Sequence, residues 1–267
     1  MHLRNRLQPF WHLNLHIGLI AWAMLLSAGA QFEISIPSAL QVLVVSAALC
    51  VYALDRCGPS SPEDAINHPQ RTHWLRAHPL TVRAVIFLAL IGLVISLRFS
   101  SPHTRWVAGG YMLLAALYTR RLLPGNRRLQ DLPGLKIPCV VLGWAALPLL
   151  HPELAAARGI LAWMLYRAGW LLANVLWSEW RDRPGDLSSR SLEQKFPDSY
   201  SQVLWISRAA LLAAILTGML LNAGLDLIGP ATFFLLQETH ARKRPESFAD
   251  QVDFLLLLAW VNIFFTR

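Results

Sequence analysis

Apolar residues gather in nine long stretches separated by short polar ones: Trp11 to Ala30, Ser38 to Leu54, Leu80 to Leu97, Trp106 to Tyr118, Ile137 to Leu150, Gly159 to Glu179, Ser201 to Leu221, Leu225 to Gln237, and Asp253 to Phe265. They lack the strict alternation of a half-buried strand and approach the length of a bilayer-crossing helix. Such a helix needs about 20 largely apolar residues, because hydrocarbon offers no water to an open backbone. The fourth, fifth, eighth and ninth stretches are short for the task. The pattern predicts an all-α integral membrane bundle of about nine transmembrane helices forming one domain over residues 1–267. No polar stretch is long enough for a second domain.

Composition agrees with this picture. The chain is 55% hydrophobic and only 15% charged, too poor in charge to cover an aqueous globule. The amino terminus carries Arg4 and Arg6 ahead of the first apolar run, as a signal peptide does. Similar runs follow, and Gly29 to Phe32 is a weak cleavage site, so a retained first span is expected. The net charge of +8 comes from basic residues in short tracts between apolar runs, with no continuous basic face, so nucleic acid is not an expected partner. Cys50, Cys57 and Cys139 form no CxxC pair and no zinc pattern.

Charge also orients the chain. Seventeen of the 24 lysines and arginines fall on one side of the predicted spans: Arg4, Arg6, Arg56, Arg71, Arg76, Arg120, Arg121, Arg127, Arg128, Lys136, Arg181, Arg183, Arg190, Lys195, Arg242, Lys243 and Arg244. Cytoplasmic loops carry that excess, which predicts the inner (cytoplasmic) membrane with a cytoplasmic amino terminus. Thirteen of the 16 acids lie on the same side, which the positive-inside rule does not require. Carboxylates beside arginines at helix mouths suit an Mg²⁺-bridged phosphate; they equally suit solvated loops with neutralising ion pairs.

Two clusters carry the acids. In LLANVLWSEWRDRPGDLSSRSL, a continuing helix puts Glu179, Asp182 and Asp186 at i, i+3 and i+7, on the face shared by Asn174 and Ser178. Alternatively Pro184 and Gly185 end the helix and leave Asp186 on a turn. These acids repel one another unless a cation, Arg181 or Arg183 offsets them. In LCVYALDRCGPSSPEDAINHPQRTHWLRAHP, Asp55 ends an apolar run and Glu63 and Asp64 restart a polar segment that leads to Asn67 and Arg71. Asp55 and Asp64 meet only if the intervening CGPSSP loops out. A proline-led helix start accounts equally well for Ser61 to Asp64.

DAINHPQR, from Asp64 to Arg71, resembles the end of the first aspartate-rich motif of the UbiA superfamily of intramembrane prenyltransferases, NDxxDxxxDxxNxPxRP. Ser178 to Leu192 is similar to that family's second motif, DxxxD, and ALYTRRL, ending at Leu122, to its LYSxxLKR segment. Their order and spacing match, so the resemblance spans nearly the whole chain. It implies a helical bundle around a central cavity, capped on the cytoplasmic side by both motifs. Two Mg²⁺ ions would hold the diphosphate of an isoprenoid donor, whose prenyl group passes to an aromatic or lipophilic acceptor; membrane lipid would surround the cavity. Carried over residue by residue, the metal ligands are Asp64, Asp182 and Asp186, with Glu179 in support and Asp55 added. Arg71 and Lys136 would contact diphosphate; Asn67, Tyr118 and Asn174 would line the site. The first motif departs from the family: its central aspartate falls on Ser60, its leading Asn-Asp pair on Arg56 and Cys57, and its last proline on Thr72.

The remaining residues have structural accounts. Trp11, Trp106, Trp177, Trp180 and Trp260 sit near span ends, where an aromatic belt is expected, while Trp144 and Trp170 are placed to line a cavity. His12 and His16 stand at i, i+4 without a third ligand. Arg167, deep in the sixth span, needs a polar partner or cavity. Besides prenyl transfer, three functions fit: a catalytically degenerate relative that binds an isoprenoid or quinone-like lipid, a cyclase acting on the prenyl chain itself, and a small transporter. No internal repeat supports the last.

Overall fold

Proline decides where many of the helices begin. Its ring pre-sets φ and its missing N–H is no loss in a first turn, where that donor has no helical partner. Pro62, Pro69, Pro79, Pro102 and Pro152 each open a helix. In a computed structural model of the chain, the described residues are 9–56, 62–132, 134–189, 200–221 and 227–241. Along them run α1 (Leu15–Gln31), α2 (Ser38–Arg56), α3 (Pro62–Asn67), α4 (Pro69–Ala77), α5 (Pro79–Arg98), α6 (Pro102–Thr119), α7 (Lys136–Ala145), α8 (Pro152–Ala156), α9 (Ile160–Ser189), α10 (Tyr200–Leu220) and α11 (Ile228–Leu236). Strands are absent among the described residues, which hold a lone bridge between Leu123 and Arg127.

Three helices are long and apolar enough to cross a membrane: α5, α9 over Ile160–Asp182, and α10. The chain is therefore helical with membrane-protein character. The outward face of α5 bears it out, with Leu88, Val94 and Phe87 each more than 60% exposed, an apolar surface that water would not tolerate but lipid accepts. Shorter apolar helices are α1, Ser38–Ala53 and α7. The fifth predicted span, Ile137 to Leu150, divides: α7 ends at Ala145 and a 3₁₀ turn covers Leu147–Leu150. Pro148 has no N–H for the carbonyl of Trp144, so the α-helix cannot continue there. The ninth predicted span, Asp253 to Phe265, lies outside the described residues.

The packing falls into two groups. α2 lies against both α1 and α5, while α10 lies against α9 and α11; α9 also receives α3 and α7. Side chains on α1 link the groups. Arg167 of α9 donates to Ser27 Oγ at 2.6 Å, and Gln31 Nε2 donates to the carbonyl of Leu221, after α10, at 3.2 Å. Arg167 is only 1% exposed. Its guanidinium carbon stands 4.9 Å from the centre of the Trp163 ring and 5.2 Å from those of Tyr166 and Trp170. Their π faces stabilise a charge that hydrocarbon alone would not.

Close backbone approach sets the α9–α10 crossing. A Cβ on Gly169 would lie 2.7 Å from the carbonyl oxygen of Ala210 and 3.1 Å from Ala214 Cβ, whereas a Cβ on Gly110 of α6 meets nothing within 4 Å. Gly169→Ala is expected to lower stability by about 1–3 kcal/mol through overpacking. Gly110→Ala should be neutral or gain about 0.5–1 kcal/mol of helix propensity. Thermal unfolding of the detergent-solubilised variants checks the contrast.

Candidate functional site

α9 is longer than a membrane crossing requires. Its 30 residues span about 45 Å at about 1.5 Å per residue, against a hydrocarbon core of about 30 Å. The surplus carries the acids. Of the two alternatives for Pro184 and Gly185, the helix takes the continuous one and runs through both to Ser189. Asn174, Ser178, Glu179, Asp182 and Asp186 therefore keep helical register, on overlapping stripes of one face.

Glu179 and Asp182 each meet a base. Glu179 Oε2 is 2.6 Å from Lys136 Nζ, at the first residue of α7. Asp182 Oδ1 accepts from Arg181 Nε at 2.8 Å and lies 3.3 Å from His68 Nε2. These side chains are about one-fifth exposed, shielded enough for the pairs to count for more than solvated surface ion pairs. Next to His68, Asn67 Nδ2 donates to the Asp182 backbone carbonyl at 2.6 Å, fixing the end of α3 against α9. Five residues on three separate parts of the chain thus converge: Asn67 and His68, Lys136, and the α9 pair Glu179 and Asp182.

The other expected site residues are distributed around this end. Asn174 is buried on α9 two turns before Asp182, and Tyr118 is half-buried in the last turn of α6, the helix that leads towards Lys136. Arg71 is half-buried in the first turn of α4. Asp64 belongs to α3, Asp55 to the last turn of α2 and Asp186 to the last turn of α9, while their side chains lie outside the described part. Sequence reading gave His68 no role and offered Arg181 only as a neutralising charge. The Asn-His-Pro step is the signal for the former: a histidine fixed beside a helix-opening proline.

An aromatic wall stands beside the acids. Trp177, Trp180 and Tyr200 meet edge to face, with ring centres 5.9 to 6.2 Å apart, across the junction of α9 with α10. Trp177 Nε1 donates to Gln237 Oε1 at 3.0 Å, and Ser207 Oγ bonds the same oxygen. One residue beyond each of those partners, Arg208 pairs with Glu238, its Nη2 donating at 2.7 Å. This end of the bundle is therefore stiffened by polar contacts from α9, α10 and the π-helical turn Gln237–Ala241.

The residues fit a divalent cation in one respect. Mg²⁺ in phosphate sites takes one or two carboxylates and completes its shell from substrate and water. Glu179 and Asp182 supply that number, although no three described His, Cys, Asp or Glu side chains group closely enough to hold an ion by themselves. No protein-family model, curated protein or solved structure matches the chain.

Asn67→Ala removes the short bond to the Asp182 carbonyl, at a cost of about 1–2 kcal/mol. Hydrogen exchange should rise in α3 and in the turn of α9 around Asp182 while the α9–α10 crossing near Gly169 keeps its protection. Mass-spectrometric exchange on Asn67→Ala and the wild type would read the difference.

Proposed function

We infer that the chain is an intramembrane prenyltransferase of UbiA type, a bundle of about nine spans with its acid-bearing end and amino terminus at the cytoplasmic face of the inner membrane. The observation that carries the reading is the Asn67–Asp182 bond. Two segments 115 residues apart, one resembling each half of a diphosphate site, meet at 2.6 Å. The basic residues among them support the same chemistry, since Lys136 and Arg181 offer the charge-assisted donors that diphosphate oxygens accept.

In this reading an isoprenoid diphosphate places its head between α3, α7 and the end of α9. Its tail lies among apolar side chains. Glu179 and Asp182, joined by Asp64 and Asp186 and with Asp55 as a further ligand, would hold Mg²⁺, which when bound would supply stabilisation of negative charge on the leaving group. Lys136 and Arg71 bind the same oxygens. The allylic C–O bond breaks with its electron pair on the diphosphate; the acceptor forms the new bond to the allylic carbon and releases a proton. Trp180 and Tyr200, both partly exposed, would border a developing carbocation and help to exclude water from it. Asn67 positions Asp182, while Asn174 and Tyr118 line the approach.

A catalytically silent relative that binds an isoprenoid or quinone-like lipid is the second reading. The pairing of Glu179 with Lys136 and of Asp182 with Arg181 and His68 favours it, since both carboxylates have basic partners without a metal.

Asp182→Ala and Asp186→Ala are each expected to lower Mg²⁺-dependent pyrophosphate release from a prenyl diphosphate by at least about 100-fold per folded molecule, and Asp182→Ala, which unpairs Arg181 and His68, also to lower the melting temperature. Undiminished release in both variants would refute prenyl transfer at this site, and a co-purifying isoprenoid lipid with no turnover in the wild type would favour the silent relative.

A further inference from the structure

Between Asp64 and Asp131 the chain carries no acid. The 66 residues that separate them hold nine arginines and no lysine. Folding brings both ends of this segment to the end of the bundle where Glu179 and Asp182 sit. α4 follows Asn67, which is bonded to Asp182. α6 starts against the carbonyls of Leu149 and Leu150, at the far end of α7, and packs against the 3₁₀ turn Leu129–Asp131 shortly before Lys136. The start of α5 and the loop after α6 therefore share one rim.

Arg128 on this rim pairs with Asp131 at 2.9 Å. Arg76, Arg83, Arg120, Arg121 and Arg127 are exposed and have no ion pair among the described residues. Such a one-signed surface attracts anions from outside the chain, and α5 decides which kind. Leu80, Arg83 and Phe87 stand at i, i+3 and i+7, so the arginine belongs to the helix's exposed stripe, where Leu80 is 77% and Phe87 63% exposed. A guanidinium one turn above an acyl-facing wall reaches headgroup level by snorkelling. α4 is built for the same level: nine residues, too short to cross, with no buried residue and a half-buried Trp74 whose ring stacks on His78 at 4.3 Å.

We propose that this arginine rim is a docking surface for the headgroups of anionic phospholipids, whose acyl chains lie along the exposed face of α5. Two observations carry it together. The charge is uncompensated over a whole segment, and it continues directly into apolar surface. Guanidinium forks match phosphate oxygens, and the leucine and phenylalanine below them match the chains of the same molecule. A free phosphate would use only the first of these features. The inference is independent of prenyl transfer, since none of the five arginines belongs to the diphosphate site.

Lipid retention by the purified full-length protein tests it. The protein is passed through mixed micelles of equal phosphatidylglycerol and phosphatidylcholine, and the lipid it keeps after gel filtration is counted by mass spectrometry. The wild type should keep phosphatidylglycerol over phosphatidylcholine by about fivefold or more, and molar salt should bring the ratio towards one. The combined variant Arg76→Gln, Arg83→Gln, Arg120→Gln, Arg121→Gln should fall to within about twofold of unity. Arg98→Gln with Arg105→Gln, which removes exposed charge at the opposite end, should keep the wild-type ratio. Equal retention of the two lipids by the wild type overturns the assignment, as does an equal loss in the opposite-end variant, which would mean that net charge alone selects the lipid. Millimolar inorganic phosphate should leave the retained phosphatidylglycerol unchanged; its displacement would make the rim a site for soluble anions and overturn the lipid assignment. Should the fourfold variant fail to fold, the pairs Arg76→Gln, Arg83→Gln and Arg120→Gln, Arg121→Gln are read separately, and a wild-type ratio in both overturns it.

Discussion

A guanidinium buried in an apolar bundle is the constraint on which the arrangement of the helices depends. Arg167 is removed from water almost completely, and a charge so placed must find partners or the helix bearing it will not stay. It finds a hydroxyl on α1 and three aromatic faces on α9. The hydroxyl contact reaches across to the helix group containing α2 and α5, so the residue that is costliest to bury also joins the two groups. Around it Trp163, Tyr166 and Trp170 fill the core with large rigid surfaces. α9 is thereby fixed in rotation, and that rotation decides which face its far end presents.

At that far end the same economy of charge operates in a wetter setting. Glu179 and Asp182 are held by bases from different parts of the chain. Their pairing keeps acids one turn apart from repelling one another and fixes where their oxygens lie. The same pairing places Lys136 and Arg181 beside the carboxylates as charge-assisted donors. The aromatic triad of Trp177, Trp180 and Tyr200 borders it, so a charged site and an apolar, π-rich wall stand side by side.

Much of the helical framework was legible along the chain because apolar runs and helix-opening prolines are local properties. α5 and α10 follow their predicted stretches closely, α9 runs ten residues past the predicted end of its own at Glu179, and the i, i+3, i+7 register of Glu179, Asp182 and Asp186 was readable once a continuous helix was assumed. That continuity was not readable, since Pro184 and Gly185 argue locally for a break, and packing of α3, α7 and α10 along α9 overrides local propensity. Nor was the break after Ala145 anticipated, although Pro148 explains it. The partners of the acids were the least visible. Nothing in the spacing of His68, Lys136 and Ser27 announces that each meets α9, because the meeting is made by folding over distances that sequence patterns do not span.

One geometric property of α9 reaches beyond the bundle. Arg167 and Asp182 lie fifteen residues apart on a single uninterrupted rod, about 22 Å along its axis. Pivoting the lower point by about 5° would carry the upper one sideways by about 2 Å, comparable to a metal–ligand bond. A bilayer that thickens or thins alters helix tilt. Any change in the tilt of α9 would therefore be magnified at its charged end, through leverage along one rigid rod.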